Sequence, residues 1–256
     1  IARGSLFNKL VILLPIALLL SAFAPWAIAP LLMLGGAYLC FEGAEKVWHA
    51  IAADHGNDPH LVTTADGAGL EEERVKGAIK TDFILSAEIM TIALASIPAG
   101  DSIWMKALIL FIVAVGITVA VYGFVALIVK ADDVGLHLSE RGGPLAWLGR
   151  GIVRFMPPFM KVLTVVGTAA MIWVGGQIVI HGMHELGQHQ PYEWIKHMAE
   201  AAALAVPQAA GLVNWAVTAF FDGVFGLVLG LILIPVATRV VGPLIAAVKG
   251  MFGARA

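Results

Sequence analysis

Leu10 to Phe41 reads LVILLPIALLLSAFAPWAIAPLLMLGGAYLCF, 32 residues without a charge. As a single helix this stretch would be roughly 48 Å long, too long for a hydrocarbon core of about 30 Å. The chain must therefore fold back within it. Pro25 and Pro30, on either side of Trp26, supply the break, because proline lacks a backbone donor and its ring crowds the preceding turn. The stretch predicts two spans, Ser5 to Ala24 and Ala27 to Val47, joined by a tight uncharged turn. A re-entrant hairpin is the alternative arrangement of the same residues.

Composition extends this reading to the whole chain. Of 256 residues, 59% are hydrophobic and 13% charged, and the mean hydropathy is +0.88. Such a chain has too little polar surface to face water on all sides, and lipid must cover most of it. Short alternating strands, as a transmembrane barrel requires, are not found. The formal net charge of −2 leaves no basic excess to neutralise phosphates, which argues against a nucleic-acid partner. Cys40 is the sole cysteine, so no intrachain disulfide can form, and it reads as a small packing residue. Arg3, Lys9, the apolar run and Ala22-Phe23-Ala24 imitate a signal peptide with its cleavage site. Pro25 directly after that site, and the apolar run that follows, favour a span that is kept.

Four further spans follow: Thr81 to Pro98, Ile103 to Val129, Val162 to Ile180, and Ala210 to Ile234 with Asp222 at mid-membrane. Asp54 to Pro59 reads as a turn-rich loop and Glu71 to Lys76 as a solvated helix start. Between Gly142 and Lys161, Trp147, Arg150, Arg154 and Pro157-Pro158 among apolar residues describe an interfacial amphipathic helix. His181 to Glu200 reads as a polar, histidine-rich loop. With six spans and the N-terminus inside, 14 of the 16 Lys and Arg are cytoplasmic, Lys9, Lys249 and Arg255 among them, leaving Lys106 and Lys196 outside. Dividing the last span at Asp222 would give seven and strand Arg239 in the bilayer, at about 2.5–3.5 kcal/mol on insertion scales. The expected architecture is thus an all-α polytopic bundle with short and broken helices and interfacial amphipathic helices.

Gly36, Glu42, Gly43 and Glu45 end the second span with the spacing that Gly175, His181, Gly182 and His184 show at the end of the fifth, an offset of 139. Glu88 and Asp222 stand 134 apart, each centred in an apolar segment. These spans run in opposite directions, so half-repeats over 5–130 and 144–249 would be inverted copies, a recurrent construction of transporters. With 28 glycines, chance is the competing explanation.

An acid inside a span is costly unless it meets a wet cavity, a counter-charge or a proton, so Glu88 and Asp222 are the first candidates for a transport pathway. Asp82, less than two turns before Glu88, is expected to reach the interface. Glu42 and Glu45, with Lys46 adjacent, form either an acidic mouth for a cation or a salt-bridged helix end. His181, His184, Glu185, His189, Glu193 and His197 make the densest ligand-capable cluster; His181 and His184 share a helix face if the fifth span continues, and two imidazoles with a carboxylate would suit zinc or another transition metal. The competing view is a solvent-facing loop whose histidines titrate and bind nothing. Trp26, Trp104, Trp147, Trp194 and Trp215 fall near span ends, as interfacial indoles do. Gly116, Gly167, Gly175, Gly176, Gly226 and Gly230 are expected to permit close helix contact, and Gly226-x-x-x-Gly230 is expected to pack either within the chain or between protomers of a homo-oligomer.

Gly4 to Leu10 (GSLFNKL), Leu19 to Trp26 (LLSAFAPW) and above all Leu32 to Lys46 (LMLGGAYLCFEGAEK) resemble the YedI-like family of bacterial inner-membrane proteins, and the likeness extends over the chain. It implies an inner-membrane location and an additional N-terminal segment. The family is a domain of unknown function, so the likeness implies no mechanism and no catalytic residues.

No nucleotide-binding glycine loop and no nucleophile–base pair is visible, so neither an enzyme nor a cofactor is expected. The first expectation is a carrier or channel for an ion or small solute in a bacterial inner membrane, both termini cytoplasmic. A non-transporting structural or assembly protein is the second, and metal handling through the histidine segment the third. A pathway acid should line a hydrated cavity; a structural acid should be held by a named partner.

Overall fold

A computed structural model describes residues 2–53, 67–98, 100–140, 144–237 and 239. The described residues form seven helices and no strand. They are α1 (Ala2–Phe23), α2 (Ile28–Ala53), α3 (Gly67–Ala95), α4 (Ile103–Glu140), α5 (Pro144–Glu185), α6 (Gln190–Ala205) and α7 (Ala210–Val236). Five of them, α1, α2, α4, α5 and α7, are long and apolar enough to cross a membrane. The chain is an all-α, multi-pass membrane protein. The third expected span lies in α3, which is not among the five. The expected loop at Asp54 to Pro59, Lys249 and Arg255 lie outside the described residues.

The break at Pro25 is where the sequence predicts it. Ala24 leaves the helix at φ −147° and ψ 59°, Pro25–Ala27 makes one 3₁₀ turn, and α2 starts at Ile28. Pro30 falls in the first turn of α2, where a missing N–H costs nothing. Pro15 has a subtler effect. It cannot donate to the Val11 carbonyl, and the turn before it widens to a π-helix over Asn8–Leu13, closed by the Leu14 N–H on the Lys9 carbonyl.

Two expectations are corrected. The amphipathic segment and the fifth span are one helix, α5, of 42 residues, which runs through Pro157 and Pro158. Both prolines are on the exposed side of the helix, so the carbonyls they leave unpaired can be met from outside. His181 to Glu200 is not a loop either. It is the end of α5, a short turn and most of α6. At the C-terminal end, α7 passes through Asp222 unbroken, as the single-span parse requires.

The chain packs as two compact units interleaved along the sequence, one of Ile1–Ile28 with Thr64–Gly167, the other of Ala29–Thr63 with Thr168–Ala256. In the first unit, Leu13 of α1, Met90 of α3 and Leu110 of α4 form the core, with Phe83, Ala87 and Leu94 adding to it. Positions 83, 87, 90 and 94 are one stripe of a 3.6-residue helix, so a single face of α3 is used.

The second unit is held by glycine. In lipid, burying apolar surface gains little over the tails themselves, and close approach of backbones decides which helices associate. An added Cβ on Gly36 would meet the Gly175 carbonyl, and one on Gly175 the Gly36 carbonyl. One on Gly43 would meet Ile172, and one on Gly182 would meet Met33. These contacts make α2 and α5 antiparallel. The offset of 139 maps Gly36 onto Gly175, Gly43 onto Gly182 and Met33 onto Ile172, so the contact set maps onto itself with partners exchanged. Any antiparallel helix pair has a local backbone two-fold; the sequence here adds glycines at the related positions.

On α7, Asp222, Gly226 and Gly230 form the buried face. An added Cβ on Gly226 would collide with the Ile172 carbonyl, and one on Gly230 with the Cys40 carbonyl. Gly116 and Gly167 differ from the expectation, because an added Cβ there meets no described atom within 4 Å. Gly226→Leu is therefore expected to cost about 1–3 kcal/mol or more. Gly116→Leu should stay within about 0.5 kcal/mol of the parent. Denaturation in mixed micelles separates the two; equal effects would mean that α7 is not packed at Gly226.

Candidate functional site

Polar side chains inside an apolar bundle must be matched or wetted, and Asp82 and Asp222 differ in this respect. Asp82 of α3 is matched. Lys9 Nζ donates to Asp82 Oδ2 at 2.7 Å and also to Ser5 Oγ, and Ser5 Oγ donates to the same Asp82 oxygen at 2.5 Å. Ser86 Oγ donates to the Asp82 main-chain carbonyl. Lys9 is 2% exposed and is held by Asp82. Asp82 itself does not stand free at an interface; its charge is taken up within the first unit.

Asp222 is wetted. It is 3% exposed, in the middle of α7, and no hydrogen bond or ion pair reaches its carboxylate among the described residues. It lines a cavity of about 350 Å³ between the end of α5, α6 and α7. The cavity arises because α5 and α7 touch at Gly176, where an added Cβ would collide with the Asp222 main-chain carbonyl, and part beyond that contact. Gln177, Ile180 and His181 line the cavity from α5, and Tyr192, Ile195, Lys196 and Glu200 line it from α6. From α7 come Asn214, Thr218 and Asp222, four residues apart and so on one helix face. The Thr218 hydroxyl donates to the Asn214 main-chain carbonyl at 2.9 Å, which leaves its oxygen lone pairs for a guest. Lys196 and Glu200 approach each other at 4.0 Å and are exposed. The cavity thus carries offsetting charges on α6 and an uncompensated acid on α7.

The other candidates fall outside this cavity. Glu88 is half-buried and has no hydrogen bond or ion pair among the described residues. It lies about 100° or more around α3 from the stripe of Phe83, Ala87, Met90 and Leu94, and so off the core of its unit. Glu42 accepts from Lys46 at 2.9 Å, one turn along α2, and Lys46 also reaches the Met171 sulfur at 3.6 Å. This is an ion pair inside α2, which continues past the expected span end at Val47 to Ala53. Glu45, the neighbouring acid, is half-buried.

The histidines regroup around the turn between α5 and α6. His184, His189 and Glu193 bring their ligand atoms within 4.8 Å of one another. His181 does not join them; its Nε2 lies 3.3 Å from Glu185 Oε1. Gly187, with φ +93°, lets the chain reverse in four residues, and the Gln188 N–H donates to the Met183 carbonyl at 2.8 Å. Gly187→Ala is expected to cost about 1–2 kcal/mol through the left-handed conformation alone, read as a lower melting temperature in detergent.

The family model described as "Protein of unknown function (DUF808)" matches residues 1–236. The chain belongs to the DUF808 family. YedI-like is a name of the same family, so the likeness read from Leu32 to Lys46 is to the right relatives. No curated protein and no solved structure matches the chain. What this DUF808 chain can do must therefore be argued from its own residues. Sequence reasoning singled out Asp222 as a candidate but not Asn214, Thr218 and Gln177, which line the same cavity; the four-residue spacing of the first two with Asp222 was the signal available. It placed His184, His189 and Glu193 in one ligand-capable cluster but paired His184 with His181, because the approach of His184 to His189 and Glu193 depends on the turn at Gly187.

Proposed function

We propose that the chain is a carrier or channel for a small cation, the proton included, with Asp222 as the charged group of the pathway. The observation that carries this reading is a nearly buried carboxylate without a partner among the described residues, at a cavity large enough for several waters. An ionised acid at a helix centre is costly, and only water, a proton or a bound cation offsets that cost at Asp222. Oxygen atoms of Asn214, Thr218 and Asp222 along one face are suited to replacing the hydration shell of a cation. The reciprocal glycine crossing of α2 and α5 supports the inverted-repeat construction common in secondary transporters. Non-enzymatic action in a bacterial inner membrane belongs to the same reading. The distribution of Lys and Arg favours cytoplasmic termini, with the cavity and the α5–α6 turn toward the outside.

A structural role for the acids is favoured by one specific observation, the Lys9–Asp82 pair, and we assign that role to Asp82 alone. Glu88, without a partner among the described residues, stays a candidate for the pathway, second in rank to Asp222. The test is proton and cation flux in liposomes reconstituted with the full chain, as wild type and as Asp222→Asn. Absence of flux for protons and for monovalent and divalent cations would overturn the transport reading.

A further inference from the structure

We propose that His184, His189 and Glu193 form a binding site for a divalent transition metal, zinc being the best match, at the turn between α5 and α6. This site does not depend on transport, and its test reads metal binding only.

The argument begins with the donor set. Two imidazoles and one carboxylate are a set that leaves one tetrahedral position for water, as in zinc sites with three protein ligands. Such ligands suit zinc, nickel or copper, whereas magnesium and calcium prefer oxygen alone. Geometry follows. Tetrahedral ligands about 2.0–2.1 Å from zinc are about 3.3 Å apart, and the three ligand atoms here already lie within 4.8 Å of one another. Closing the remaining distance takes side-chain rotation only, because His189 and Glu193 are exposed and free to turn.

The backbone fixes where the three side chains start. His184 ends α5, His189 caps the start of α6, and Glu193 follows one turn later, its N–H donating to the His189 carbonyl at 3.0 Å. The His184 and His189 rings are 4.6 Å apart between centroids, and Tyr192 lies 4.4 Å from His184. The Tyr192 ring therefore limits the orientations open to His184, a support of the kind that metal ligands need. His181 is set apart by its contact with Glu185, so the site differs from a His181–His184 pair on one helix face.

The experiment is zinc titration calorimetry on the full chain in detergent, with its affinity tag removed, and magnesium as the comparison ion. One zinc per chain should bind, with magnesium giving no heat. His184→Ala and His189→Ala should each weaken zinc binding by about tenfold or more, Glu193→Gln should weaken it less, and His181→Ala should leave it unchanged. Circular dichroism identifies a variant that fails to fold; His189→Asn, at an exposed position, replaces it in that case. Zinc binding absent from the wild type, or lost in His181→Ala and retained in His189→Asn, would overturn the proposal.

Discussion

Lys9→Met is expected to destabilise the chain by about 3–5 kcal/mol, the range found when one partner of a buried ion pair is removed. Lys9 is almost wholly enclosed, and Asp82 is 22% exposed, so the variant would leave a carboxylate largely out of water, with the Ser5 hydroxyl still donating to it but no cation beside it among the described residues. Asp82→Leu alone should cost a similar amount, because it strands the ammonium group. The double variant Lys9→Met with Asp82→Leu should recover most of the loss, since two apolar residues of fitting volume replace a buried pair at little or no cost. A double-mutant cycle in mixed micelles measures the coupling directly. Single losses below about 1 kcal/mol, the range of surface pairs, would show that water reaches the pair. Asp82 would then return to the candidates for a pathway.

The Lys9 pair also shows what a sequence of this kind conceals. Lys9 reads as the charged flank of a first span, which is where a lysine next to a long apolar run usually sits. Its partner is 73 residues away, in a helix whose apolar stretch is short and interrupted, and no periodicity links the two. The break at Pro25 was legible because proline acts locally on its own turn. Pro157 and Pro158 carry the same local signal and yet lie inside α5. Whether a helix survives them depends on what meets the freed carbonyls, which is a tertiary matter. Glycine poses the same difficulty: Gly116 and Gly226 are equivalent in composition, and only the neighbouring helix distinguishes them. Asp222 was legible as an anomaly in an apolar run, but the cavity it lines was not. That cavity depends on where α5 and α7 touch, at Gly176, and on α6, which the sequence presents as a loop.

Asp222→Asn is expected to reduce cation flux to the level of protein-free liposomes while leaving the fold intact or more stable. Most losses of function by mutation arrive through destabilisation, so the direction of the stability change decides what a loss of flux means. An aspartate at a helix centre costs about 2.5–3.5 kcal/mol on insertion scales, and asparagine keeps the shape without the full charge. No described side chain donates to the Asp222 carboxylate, so the substitution breaks no bond between protein groups. Melting in detergent should therefore be unchanged or higher, the exchange of stability for activity expected of a strained functional residue. Thr218→Val, on the same face, removes an oxygen from the cavity without touching charge, and it should lower flux less than Asp222→Asn. A structural acid predicts the opposite pattern: lower melting in Asp222→Asn, and flux, if present at all, reduced only in proportion to the folded fraction. Glu88→Gln separates the two acids. If Asp222 carries the pathway alone, Glu88→Gln retains flux, and if both carry it, each substitution abolishes flux without lowering the melting temperature.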